Sequence, residues 1–403
     1  MELFWLEHKK LWRKKIVKIC VLLCFVYCVI FGSILSFQWF SFGSSDDYTS
    51  AFGNNFDGYT VIKDSQEYAL SFGGELTDET LQQIVSDYQQ MEADGMEKEL
   101  EKTDWQIVNS WLGTLYPELR DTSNYKTMIS YVDPDKLTGF YERRQQVLDE
   151  FLEISGQVGA EKEFLHQMER KVEKPFHYEW VEGWSTLLGS MVADLGVVMA
   201  LFLGIVLSSL FAGEWHDNTS TLVLTTRNGW GKIALAKILT GFAFTVELFA
   251  LLAVSSVISQ LFFMGTAGWD MPIQNIKLIA VAPMNMLQAE IYEYAFVLLG
   301  AIGFAGIVMF ISAAVKNNVL TLLLSLAVVY GPMMIAEYLP YEMQKALDLI
   351  PLVGSSTDIF RTNTFRIFGK LIWSPYLLIT IPVLIGILCM PFAIKSWSRR
   401  MKA

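Results

Sequence analysis

The stretch AFVLLGAIGFAGIVMFISAAV, Ala295–Val315, carries no charged residue. A helix of that length rises about 30 Å, the hydrocarbon thickness of a bilayer. After the short turn at Lys316 a second apolar run follows, Val319–Ile335. Comparable runs fit Ile16–Phe40, Thr186–Ala212, Ile238–Met264 and Pro375–Ile394, which makes six expected spans. Composition agrees, because 52% of the 403 residues are hydrophobic and only 18% charged. A chain this apolar cannot bury its hydrophobic surface in a water-soluble core and still cover itself in charge. The expected fold class is an all-α polytopic membrane protein: six transmembrane helices with a helical extracytoplasmic domain between spans 1 and 2. A cytosolic enzyme, a secreted disulfide scaffold and a free nucleic-acid binder are excluded.

Charge divides the chain. Ser41–Ser185 holds 29 acidic and 12 basic residues, a balance of −17, while the remainder holds 13 and 19, a balance of +6. The two parts therefore belong to different surfaces or compartments. Three regions follow: 1–40, an amphipathic helix and span 1; 41–185, the polar domain; and 186–403, spans 2–6. Basic residues at the N-terminus, in the 213–237 loop, at Lys316 and in the tail all fall on one side of a six-span chain. The positive-inside rule makes that side cytoplasmic, with both termini on it.

Within residues 1–15, Leu3, Phe4, Leu6, Leu11 and Trp12 form an apolar face suited to lie on the membrane. Lys9, Lys10, Arg13, Lys14 and Lys15 are expected to face lipid phosphates. Span 1 is longer than a signal-peptide core and reads as an uncleaved anchor. In the polar domain, Leu81, Ile84, Val85, Tyr88 and Met91 recur at helical spacing, as do Phe140, Val147, Leu148 and Phe151. The stretch 337–373 is partly apolar but broken by Pro340, Pro351 and Gly354, and reads as re-entrant or surface helices on the outer side. An ordinary amphipathic outer loop fits it equally.

Chemical motifs are sparse. The sequence has no phosphate-binding loop, no HExxH and no Gly-x-Ser-x-Gly. Cys20, Cys24 and Cys28 share a helix face with no acid or histidine among them, which favours packing over a metal site. His8, His166, His177 and His216 are scattered and read as surface residues. No catalytic group, cofactor site or metal site is expected, and the chain reads as a non-catalytic subunit. Two carboxylates fall inside spans, Asp194 and Glu247. Each reads either as part of a polar substrate pathway or as a structural pair partner.

The most specific signal is the loop EWHDNTSTLVLTTRNGWGKIALAK, Glu214–Lys237. An acid at the mouth of a span, a threonine-led apolar patch (Leu222, Val223, Leu224) and a basic end suit a short helix lying along the membrane. A solvated loop is the plainer alternative. The loop resembles the inner loop of ABC-2 type transporter permeases, with Glu214, Thr219, Leu222, Thr225 and Lys237 at matching positions and Asn218 in place of the family glycine. The N-terminal run through Glu2, Glu7, Lys9, Lys10, Leu11, Trp12 and Arg13, and the six-span layout, resemble that family as well. Residues 41–185 lie outside the resemblance.

The resemblance implies that 213–237 forms a coupling helix docking on a separate ABC ATPase subunit, where ATP and Mg are bound. It also implies a second permease, identical or homologous, in the working assembly. Glu214, Thr219, Leu222, Arg227 and Lys232 are the expected energy-coupling residues. The expected function is export of a peptide, drug-like or lipophilic substrate across a bacterial plasma membrane, with no role for nucleic acid. The acidic outer domain suits a cationic cargo. The rivals are an ABC-type mechanotransmitter, which would relay motion without passing substrate, and a ligand-sensing receptor.

Overall fold

The computed structural model describes residues 2–30, 66–67, 69–71, 73–95, 105–121, 123, 126–188, 192–216, 231–354, 359–360 and 363–399. Helices α1 (Glu2–Arg13) and α2 (Lys15–Val29) open the chain, separated by an extended residue, Lys14. The polar domain contributes strand β1 (Gly74–Leu76), helices α3 (Asp78–Ala93), α4 (Trp105–Leu115), α5 (Phe140–Ile154) and α6 (Ala160–Glu169), strand β2 (Phe176–Tyr178) and the short helix α7 (Glu182–Thr186). The bundle follows with α8 (Val192–His216), α9 (Lys232–Met264), α10 (Met286–Ala314) and α11 (Asn318–Ala336). A short helix α12 (Tyr341–Leu347), a hairpin of β3 (Thr364–Ile367) and β4 (Lys370–Trp373), and α13 (Ser374–Arg399) complete it.

Five of these helices, α8, α9, α10, α11 and α13, are long and apolar enough to cross a bilayer. Of the expected first span, α2 is described as far as Ile30, and the rest lies outside the described residues. Close backbone approach organises the bundle. A Cβ on Gly303 would sit 2.4 Å from the carbonyl of Pro382, and one on Gly306 would sit 2.6 Å from Cα of Gly386. Helices α10 and α13 therefore cross where both carry only backbone, which is how helices gain contact in an apolar solvent.

Helix α10 begins well before the expected start at Ala295. Asn285 and Gln288 form a reciprocal capping box that satisfies the first free amides, so the helix gains more than two turns.

The polar domain is mainly helical, as its periodicity suggests. Leu81, Ile84 and Val85 of α3 are buried, as are Phe140 and Leu148 of α5. Phe151 is exposed instead, and Leu152 takes the inward position. Tertiary pairing adds what helical periodicity could not: β1 and β2 form an antiparallel ladder closing residues 74–178 into one unit. Tyr141 clamps that ladder to α5, donating to the carbonyl of Leu76 (2.7 Å) and accepting from the amide of Phe176 (2.6 Å).

The core of the polar domain extends beyond residue 185. Met271, Ile273, Leu278, Ala280 and Ala282, from the connection between α9 and α10, belong to the domain's hydrophobic core, and so do Ile359 and Trp373. The domain is thus built jointly with segments from the bundle half of the chain. Neither reading of 337–373 anticipated a strand: among its described residues α12 is a helix, and 364–373 is a β-hairpin turning on Phe368 and Gly369, both at positive φ. Thr-Phe-Arg-Ile alternates polar and apolar on one side of the turn, while Lys-Leu-Ile-Trp on the other does not, so the period of two is visible in only one strand.

Candidate functional site

The basic end of the bundle gathers four segments far apart in sequence. Trp215 at the end of α8 meets Trp397 of α13 at a ring separation of 6.1 Å, and Lys316 Nζ lies 4.4 Å over the Trp215 ring. Lys14 donates to Ser209 Oγ at 3.0 Å, bringing in the N-terminus. One turn before Glu214, the Ser312 hydroxyl of α10 inserts into the backbone ladder of α8. It accepts from the amides of Phe211 and Ala212 (3.1 Å each) and donates to the Ser208 carbonyl (2.7 Å). This pins the end of α8 to α10.

Glu214 is the centre of that end, and its side chain is only 4% exposed. Lys237, on the first turns of α9 and 2% exposed, reaches it at 2.9 Å. Lys10 of α1 reaches the same carboxylate oxygen at 2.6 Å. Lys237 also contacts Glu7 of α1 at 2.7 Å. Among the described residues, two acids and two lysines thus form one network joining α1, α8 and α9. Burying a single carboxylate would be costly, and the two ammonium groups compensate it here.

That arrangement corrects the reading of the N-terminal helix. Lys10 and Lys14 also make contacts inside the protein: Lys10, its side chain still 53% exposed, reaches the buried Glu214, and Lys14 reaches Ser209. Leu11 is buried in the bundle core and Trp12 packs edge-on against Phe244 of α9 at 5.7 Å. Trp5 and Leu6 remain exposed.

The expected coupling residues divide. Glu214 sits at the hub. Lys232 is exposed at the first position of α9 and has no contact with Glu214 among the ion pairs described. Thr219, Leu222 and Arg227 lie in 217–230, outside the described residues. Lys237, at a matching position of the inner loop, is a buried partner of Glu214, and Glu7 and Lys10 join it from the N-terminal run. Their common role was hidden because sequence does not show which lysines are buried.

Of the two intramembrane acids, Asp194 lies on α8 with its side chain outside the described residues. Glu247 is 42% exposed and engaged by α1, with His8 Nε2 at 3.2 Å and Trp12 Nε1 donating at 3.0 Å. Those contacts match the pair-partner reading.

A different pair escaped the sequence reading. Glu290 and Glu293, one turn apart on α10, are buried, and neither carboxylate meets a hydrogen-bond partner of good geometry among the described residues. The expected helix start at Ala295 had placed both outside the span, and only the Asn285–Gln288 box could have moved them inside. Cys20 and Cys24 are buried in the bundle core, in keeping with packing.

Compared with known proteins, the chain matches no family model, no curated protein and no solved structure.

Proposed function

We propose that the chain is the membrane-spanning permease subunit of an ATP-driven transporter, powered by a separate ATPase that docks at the basic end. The observation carrying this reading is the network Glu7–Lys237–Glu214–Lys10, centred on the buried pair Lys237–Glu214. It ties together the two helix ends flanking 217–230, and it ties both to the N-terminal helix. A force applied to 217–230 then reaches α8, α9 and α1 as one body, because moving any of them alone would strand a buried charge. Tight crossing of α10 and α13 at glycines would pass the motion onward, and the substrate would leave on the side of the polar domain. The basic end would be cytoplasmic, with both termini there, and the polar domain outside.

The test is purification of the tagged chain from its membrane, with identification of stoichiometric partners and parallel purification of Glu214→Lys. A partner carrying a phosphate-binding loop, whose ATPase stimulation is lost in the charge-reversed variant, is the expected result. A kinase or regulator as partner would transfer the chain to the receptor class. Unchanged docking and stimulation in Glu214→Lys would remove the network from energy coupling.

A further inference from the structure

His177, Glu179 and Asp270 come from different parts of the fold, the first two from β2 and the residue following Tyr178, the third from the connection between α9 and α10. One ligand atom from each lies within 4.8 Å of the others. We propose that these three side chains bind a divalent cation of the zinc class on the polar domain. One imidazole and two carboxylates suit such an ion, and two carboxylate charges balance its own. Donor atoms around zinc stand about 3.4 Å apart in tetrahedral geometry, so the trio needs only small side-chain rotations to close on it.

The donors stand on fixed backbone. His177 pairs with Glu75 in the β1–β2 ladder, and its carbonyl accepts from Asn275 Nδ2 at 2.6 Å. Glu179 Oε2 accepts from the amide of Gly268 at 2.9 Å, which orients the carboxylate and leaves Oε1 beside His177 Nε2, also at 2.9 Å. Gly268 has φ +81, and its absent Cβ would fall 2.6 Å from the carbonyl of Trp180, so this close approach requires glycine. Such outer contacts hold metal ligands in place. His177 and Glu179 are partly exposed and Asp270 is exposed, so an ion can enter from solvent.

A second observation points to the same place. His177 and Asp270 line a cavity of about 350 Å3 whose wall includes Gln274. Gln274 is fully buried. Its amide nitrogen donates to the carbonyls of Ala280 and Ala282, both at 2.9 Å, which fixes the orientation of the amide. Its Oε1 is left buried without a partner among the described residues. The cavity wall beside the trio thus holds an acceptor that the described residues leave unsatisfied. The ion would fasten the polar domain to the α9–α10 connection, independently of any transport role.

The experiment is calorimetric titration of the full chain in detergent, first stripped with a chelator, with Zn2+ and separately with Ca2+. One Zn2+ per chain is expected, with a higher thermal midpoint on loading. His177→Ala and Asp270→Asn should each weaken zinc binding about tenfold or more. His166→Gln, in the separate His166–Asp149 pair, should leave it unchanged. Because Asp270 is exposed, Asp270→Asn should keep the parent's metal-free midpoint, which separates lost binding from lost folding. No zinc binding, a preference for Ca2+, or binding that survives both substitutions would overturn the site.

Discussion

Among the described residues, two ion-pair networks centre on buried charges, one in the polar domain and one at the basic end, and they are built differently. In the polar domain, Arg144 of α5 and Glu169 of α6 are almost wholly buried. Arg144 holds both carboxylate oxygens and also donates to the carbonyls of Leu278 (2.6 Å) and Ala280 (3.0 Å); Lys174 supports Glu169 at 3.0 Å. A planar guanidinium with its donors in fixed directions makes this a rigid fastener between the domain and the α9–α10 connection. At the basic end the cations are lysines, whose point charges tolerate changes of geometry, and Lys10 and Glu7 are only partly buried. One network locks; the other can exchange partners while staying compensated. The difference teaches that burial of charge alone does not assign a role, because the donor type decides whether the joint can move.

The comparison breaks most directly at Arg144. Arg144→Ala leaves Glu169 and two carbonyls short of donors and should destabilise the domain by about 3–5 kcal/mol. Denaturant unfolding followed by tryptophan fluorescence measures this, and a loss no larger than that of Arg143→Ala would erase the distinction. At the basic end, a double-mutant cycle of Glu214→Gln and Lys10→Met should return a coupling of about 0.5–3 kcal/mol, less than the Arg144 effect because Lys237 still holds the carboxylate position. Glu247→Gln should cost about 1 kcal/mol, since the amide oxygen can still accept from Trp12 Nε1 while the ion pair with His8 is lost. Hydrogen exchange should then rise in α1 while the polar domain stays protected.

The smallest effect is one of pH. Burial, then the nearby Asp78 charge, pushes the Tyr116 hydroxyl up to about 12. The folded state therefore keeps a proton that the unfolded chain releases near its ordinary value of 10. Stability is unaffected below that value and falls as pH rises toward 12. The Tyr116 hydroxyl is buried and meets no hydrogen-bond partner among the described residues. Tyr116→Phe should accordingly be near neutral at pH 7 and flatten the alkaline fall in thermal midpoint.

How much of this was legible follows from the range of each interaction. The helices of the bundle could be read from uninterrupted apolar runs, because a bilayer imposes its thickness on each segment separately. Helices α3 and α5 could be read from their period, and Glu214 from its place at the mouth of a span. The β1–β2 ladder could not, since three-residue strands separated by a hundred positions carry no local signal. Nor could the role of the α9–α10 connection, whose apolar residues resemble span flanks until the domain core shows what they fill.

By itself, then, the sequence determined an apolar helical bundle, an acidic domain and a basic end, because hydrophobicity, helical period and charge are properties of contiguous residues. Only the tertiary structure decided that Lys237 and Lys10 meet at Glu214, that Arg144 binds a connection from the other half of the chain, and that His177 stands beside Asp270. Those are contacts between distant segments, set by which surfaces pack together, and no residue announces its partner in advance.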